Sequence, residues 1–131
     1  ILYYNKEHIK MSVTSYYQER INQNNTYCDD KKAEIETMEN TISSNKALMK
    51  NLQSKINKYF ASWGVSNFSE CNAFQRTTIS KLMSNITDLK FNNIALNNNI
   101  YSSHLSIFNT TIDNSYLCND LMIAKHFENN A

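Results

Sequence analysis

Three cysteines, three histidines and four Asn-X-Ser/Thr triplets are the residues of this chain whose types could support chemistry. Cys28, Cys71 and Cys118 lie far apart, with no Cys-X-X-Cys and no paired histidine spacing, so neither a zinc site nor a thioredoxin-type centre has a frame. His8, His104 and His126 are equally scattered, and the acidic residues fall along one helix face rather than in a cleft. The expectation is therefore a protein that is not an enzyme, with no catalytic residues, no metal and no cofactor. Covalent chemistry is left. In an antiparallel hairpin Cys28 and Cys118 come to the same end, which makes them the one intrachain disulfide the geometry favours, with Cys71 left over for a bridge to another chain. The alternative is three reduced thiols in a cytoplasmic coiled-coil protein.

The triplets are Asn24-Asn-Thr, Asn67-Phe-Ser, Asn85-Ile-Thr and Asn109-Thr-Thr. Asparagine supplies 21 of the 131 residues, and with that many chance alone gives about four acceptor triplets, so number is no signal. Placement is. Asn24 and Asn67 fall in segments that read as loops and Asn109 falls outside the apolar seam described next, where glycans would stand in water. An extracellular or secreted glycoprotein is the expectation that follows.

The elements that position these residues are long helices. From Cys28 the chain repeats every seven residues through Ile35, Ile42, Met49, Ile56 and Trp63, with Met38, Asn45, Leu52 and Tyr59 three residues after four of them. That is a two-position apolar seam, the mark of helices packed side by side. At ~1.5 Å per residue the helix is roughly 54 Å long and needs a partner of similar length. Beyond Gly64 the pattern returns as Ile79, Leu82, Ile86, Leu89, Asn93, Leu96, Ile100 and Ile107. The fold class is therefore all-α: an elongated antiparallel helical hairpin with an additional N-terminal helix, a three- to four-helix bundle with coiled-coil-like packing. With no proline and one glycine, tight turns and strand bends have almost no residues to make them.

Helices are expected at about 5-22, 27-62, 72-110 and 112-127, within a single domain over 1-131. Ile9, Val13, Tyr16, Tyr17 and Ile21 mark the first. The run Asn22-Gln23-Asn24-Asn25-Thr26 should break it, with Thr26 as N-cap of the second. Gly64 should end the second, and Asn72 with Gln75 resembles a capping box opening the third. Asn45 and Asn93 occupy interior seam positions that a fold about residue 69 sets opposite each other, so a hydrogen bond between them would pin the register. A second apolar row, Ile94, Tyr101, Leu105, Phe108 and Ile112, lies beside the seam and implies a second neighbour.

A net charge of +1 provides no field to steer a polyanion, which excludes nucleic acid as an expected partner. No window holds ~18 uninterrupted apolar residues, so no membrane span is expected in the chain as written. Ile1 is consistent with a removed signal peptide or a membrane anchor upstream of residue 1. Three functions fit. One is an extracellular structural or interaction module that self-associates as a homo-oligomer or binds a protein partner. Another is a small secreted carrier or signalling protein, whose aromatics Tyr16, Tyr17, Tyr59, Phe60, Trp63, Phe91 and Phe108 and four methionines line a cavity for a hydrophobic ligand or form a receptor face. The last is the helical stalk of a viral or cell-surface fusion protein.

Overall fold

A computed structural model describes residues 2–4 and 10–130, with side chains over 12–130. The chain opens with two short strands, β1 (Leu2–Tyr4) and β2 (Lys10–Ser12), paired antiparallel with Tyr3 opposite Met11. Two long helices follow, α1 (Val13–Trp63) and α2 (Ala73–Asn129), joined by a connection with a single 3-10 turn, Phe68–Glu70. Apart from this short strand pair, which the sequence reading did not expect, the all-α class read from the sequence holds, and α1 and α2 pack against each other. The separate N-terminal helix and the bundle of three or four do not form: the described residues contain two long helices.

The reason is local. Ser12 Oγ accepts the Ser15 N–H at 3.1 Å, so helix begins at Val13, and Lys10–Ser12 is strand. Residues 5–9, with His8 and Ile9, lie outside the described residues. Helix then continues through the asparagine run expected to break it. The Thr26 hydroxyl donates back to the Asn22 carbonyl at 3.1 Å instead of capping a new helix. Asn24 and Asn25 bond across to α2 rather than competing for their own backbone. Near residue 111 the same happens: Thr111 and Ser115 hydroxyls donate to carbonyls four residues back, and α2 runs on to Asn129.

The ends between α1 and α2 follow their residue types. Gly64 sits at φ 68, Val65 N–H reaches the Phe60 carbonyl and Gly64 N–H the Ala61 carbonyl, a Schellman stop. Asn72 and Gln75 form both bonds of a capping box, at 2.9 and 2.8 Å. Between them Asn67 Oδ1 accepts the Glu70 N–H, and the Arg76 guanidinium donates to the Ser69 carbonyl at 2.9 Å while lying over the Phe68 ring.

The chain divides into two compact units, each an antiparallel pair of helix segments. Unit 1 takes Ile1–Ile35 with Tyr101–Ala131, and unit 2 takes Glu36–Ile100. In unit 1 Ile21, Leu117 and Leu121 form a buried cluster, with Tyr17 against it. In unit 2 Ile42, Ile56, Cys71 and Ile79 are buried, Ile56 and Ile79 almost completely.

Candidate interaction surface

Each unit carries a polar layer across its helix pair. In unit 2 Asn45 Nδ2 donates to Asn93 Oδ1 at 2.8 Å, with Asn92 Oδ1 at 3.5 Å, and both Asn45 and Asn93 are buried. These are the two seam asparagines that the sequence sets opposite each other, and the structure brings them together. In unit 1 Asn24 Nδ2 donates to Asp113 Oδ2 at 2.9 Å and Asn114 Oδ1 at 2.8 Å, and Asn114 Nδ2 donates to Asn25 Oδ1 at 2.9 Å. Sequence reasoning missed this second layer. Its signal was present, because Asn114 falls on the weakened continuation of the seam, opposite Asn24 in the register that pairs Asn45 with Asn93.

The same register separates the cysteines. It sets Cys28 opposite Thr110 and Cys118 opposite Arg20, an axial stagger of about 12 Å, while disulfide Cα atoms sit roughly 4.4–6.8 Å apart. The expected Cys28–Cys118 bridge is accordingly not formed, and all three cysteines are free thiols: Cys28 half-buried, Cys71 buried, Cys118 exposed. The Cys71 thiol lies 3.7 Å from the Asn67 carbonyl.

The acceptor asparagines differ in the same physical terms. Asn67, Asn85 and Asn109 are exposed. Asn67 caps the 3-10 turn through its Oδ1. Asn24 stands within α1, not in a loop, and both hydrogens of its amide are engaged.

At the ends of α1 and α2 in unit 1, the Thr14 hydroxyl donates to Glu128 Oε2 and the Thr14 N–H to Glu128 Oε1 at 3.3 Å. These bonds, the hydroxyl first, hold the Glu128 carboxyl below the usual carboxylate range. Beside them Val13, Tyr17, Ile123, Ala124 and Phe127, with the carboxylates of Asp120 and Glu128, line an open cleft of about 210 Å³. The aromatics proposed for one ligand cavity do not converge there. Tyr59 and Trp63 stack at 5.0 Å in unit 2, and Phe91 and Phe108 are exposed. Among the described residues no three His, Cys, Asp or Glu side chains come together as a metal site would need, and no helix is long and apolar enough to cross a membrane.

What stands out is the back of α2 in unit 1. Ser103, Leu117 and Leu121 are buried. Roughly half a turn around the helix, Tyr101, Leu105, Phe108, Ile112 and Tyr116 recur at steps of three and four and are 66, 44, 61, 42 and 69% exposed. Helical spacing produces a second apolar face because each residue advances ~100°, so two rows offset by half a turn cannot both meet α1. From Tyr101 to Ile112 there is no Lys, Arg, Asp or Glu. The next acid, Asp113, is held by Asn24 and lies 3.9 Å from Arg20 on α1. The outer face of α1 in this unit contrasts: Glu19, Asp29, Asp30, Lys32 and Glu34 stand exposed on it.

Compared with protein-family models, characterised proteins and solved structures, the chain matches none of them.

Proposed function

We propose that this chain is a non-enzymatic, extracellular interaction module, a pair of long helices that presents an apolar helical face to a protein partner. The observation that carries this is the stripe Tyr101 to Tyr116, five large apolar side chains in solvent with no charge among its first twelve residues. A monomeric surface seldom leaves more than a few hundred Å² of continuous apolar area uncovered, and patches of that kind mark association sites. An extracellular setting is supported by the exposed acceptor asparagines Asn67, Asn85 and Asn109.

Native mass spectrometry of the protein from its own source, with intact-mass analysis before and after deglycosylation, tests this. The expected result is a complex with protein subunits, of whatever identity, and a mass that falls on deglycosylation. A bare monomer carrying neither protein nor glycan overturns it.

The second reading is a carrier of a small hydrophobic molecule, favoured by the cleft of Val13, Tyr17, Ile123, Ala124 and Phe127. At about 210 Å³ it is below the roughly 300–1,000 Å³ of most ligand pockets. A monomer that co-purifies with an apolar molecule in the same measurement would favour it.

A further inference from the structure

We infer that the partner covering the back of α2 is a second copy of this chain, docked antiparallel about a two-fold axis that passes between residues 108 and 109. The inference rests on the interaction-module reading and adds to it the identity and orientation of the partner.

A two-fold interface must complement itself, so residue i meets j while j meets i. The stripe has that property. Read in either direction, Tyr101, Leu105, Phe108, Ile112 and Tyr116 run aromatic, aliphatic, aromatic, aliphatic, aromatic. Antiparallel pairing about a point midway between residues 108 and 109 sets Tyr101 beside Tyr116 of the other copy and Leu105 beside Ile112, with the two Phe108 rings adjacent and offset by about 1.5 Å along the axis. Aromatic meets aromatic and aliphatic meets aliphatic at every step. Parallel pairing would also match like with like, but it would leave the palindrome unused and set the like-charged ends of both α2 dipoles side by side.

Charge permits the pairing. No charged side chain lies between Tyr101 and Ile112, so two copies approach without repulsion, and Asp113 is turned to α1. A charged partner would find nothing here to recognise. Area permits it as well. With ~150–250 Å² per aromatic side chain, the exposed portions of the five residues amount to on the order of 500 Å² per chain. Flanking Ser102, Asn109, Ser115 and Asn119, all exposed, bring this toward the ~800 Å² per partner of a stable complex.

The geometry has a consequence for Asn109. This acceptor asparagine adjoins Phe108 and is exposed on the edge of the stripe. A glycan there would stand where the second copy must sit, so an occupied Asn109 and the two-fold pair exclude one another.

Sedimentation equilibrium of the purified, unglycosylated chain tests the proposal, against the variants Phe108→Glu and Leu48→Glu, the latter on an exposed position of α1. The wild type and Leu48→Glu should form the same dimer with a micromolar Kd. Phe108→Glu should be monomeric, its Kd raised at least ~100-fold, at unchanged helicity by circular dichroism because Phe108 faces away from α1. Orientation is read in a background without the native thiols. Mixed Tyr101→Cys and Tyr116→Cys chains should cross-link on oxidation, and neither should cross-link alone.

A wild type that stays monomeric to about 100 μM, far above any useful Kd, overturns the proposal. So does a dimer that Phe108→Glu leaves intact, or cross-linking of Tyr101→Cys with itself. If the native-source protein nevertheless travels with a different subunit, the module reading survives without this partner. A bare monomer in both measurements removes the two together.

Discussion

The asparagine layers of the two units use the same residue type for opposite ends. In unit 2 Asn45 and Asn93 are buried, and Asn45 donates to Asn93 across the helix pair, whose core includes Ile42 and Ile56 on one helix and Ile79 on the other. In unit 1 Asn24, Asn25, Asp113 and Asn114 form a wider set of bonds at the edge of the helix pair, where only Asn24 and Asn114 are half-buried. A buried amide left unpaired keeps its full desolvation cost, whereas an exposed one returns to water. Register is therefore enforced in unit 2 and merely favoured in unit 1.

The sharpest way to break this contrast is to hollow each core. Ile79→Ala removes a side chain with no exposed area and should cost about 2–5 kcal/mol in urea unfolding. Leu121→Ala, at a site still in slight contact with solvent and beside the open cleft, should fall at the low end of that range. Equal losses would dissolve the distinction between the cores.

The layers come next. Asn45→Ala leaves the buried Asn93 Oδ1 without its donor and should cost about 1–3 kcal/mol. Asn25→Ala, whose Oδ1 accepts from Asn114 at an exposed position, should cost no more than about 0.5–1 kcal/mol. A sharper version replaces both Asn45 and Asn93 with leucine. Stability should be retained or raised while alternative registers become populated, seen as doubled amide peaks by NMR.

The smallest effect concerns acid. The Glu128 pKa is lowered in the folded chain by the two bonds from Thr14. Its contribution to stability is therefore present above the unfolded carboxylate value and is lost as pH falls through the lower folded value. Thr14→Val removes the hydroxyl bond and keeps the N–H bond, so it should return the Glu128 side-chain titration, followed by carbon-13 NMR, part of the way toward the usual range and reduce that part of the pH dependence. A titration unchanged by the substitution would show that Thr14 is not the cause.

Much of this fold was legible because a 3.5-residue seam speaks for itself. Ile35, Ile42, Ile56 and Ile79 were read as seam positions and are buried. Gly64 and Asn72 were read as a stop and a start, and they serve as such. What failed were the interior breaks. Asparagine and threonine favour turns only when their side chains have no better partner, and Asn24, Asn25 and Thr26 each have one, two of them nearly ninety positions away in the chain. The disulfide failed for a different reason: the register that pairs Asn45 with Asn93 already implies an eight-residue stagger between Cys28 and Cys118, and two continuous helices have no slack to close it. The second apolar row was visible as well. Its openness was not, since spacing cannot say whether a neighbour arrives from within the chain or from outside it.

The double engagement of the Asn24 amide bears on the order of events during synthesis. Its two acceptors emerge from the ribosome 89 and 90 residues later, a delay of roughly 5–20 s at ordinary rates of translation. Any sugar attached to Asn24 would have to arrive within that interval, and it would then compete with the zipping of α2 onto α1 at that level. Asn67 and Asn109 keep no such clock.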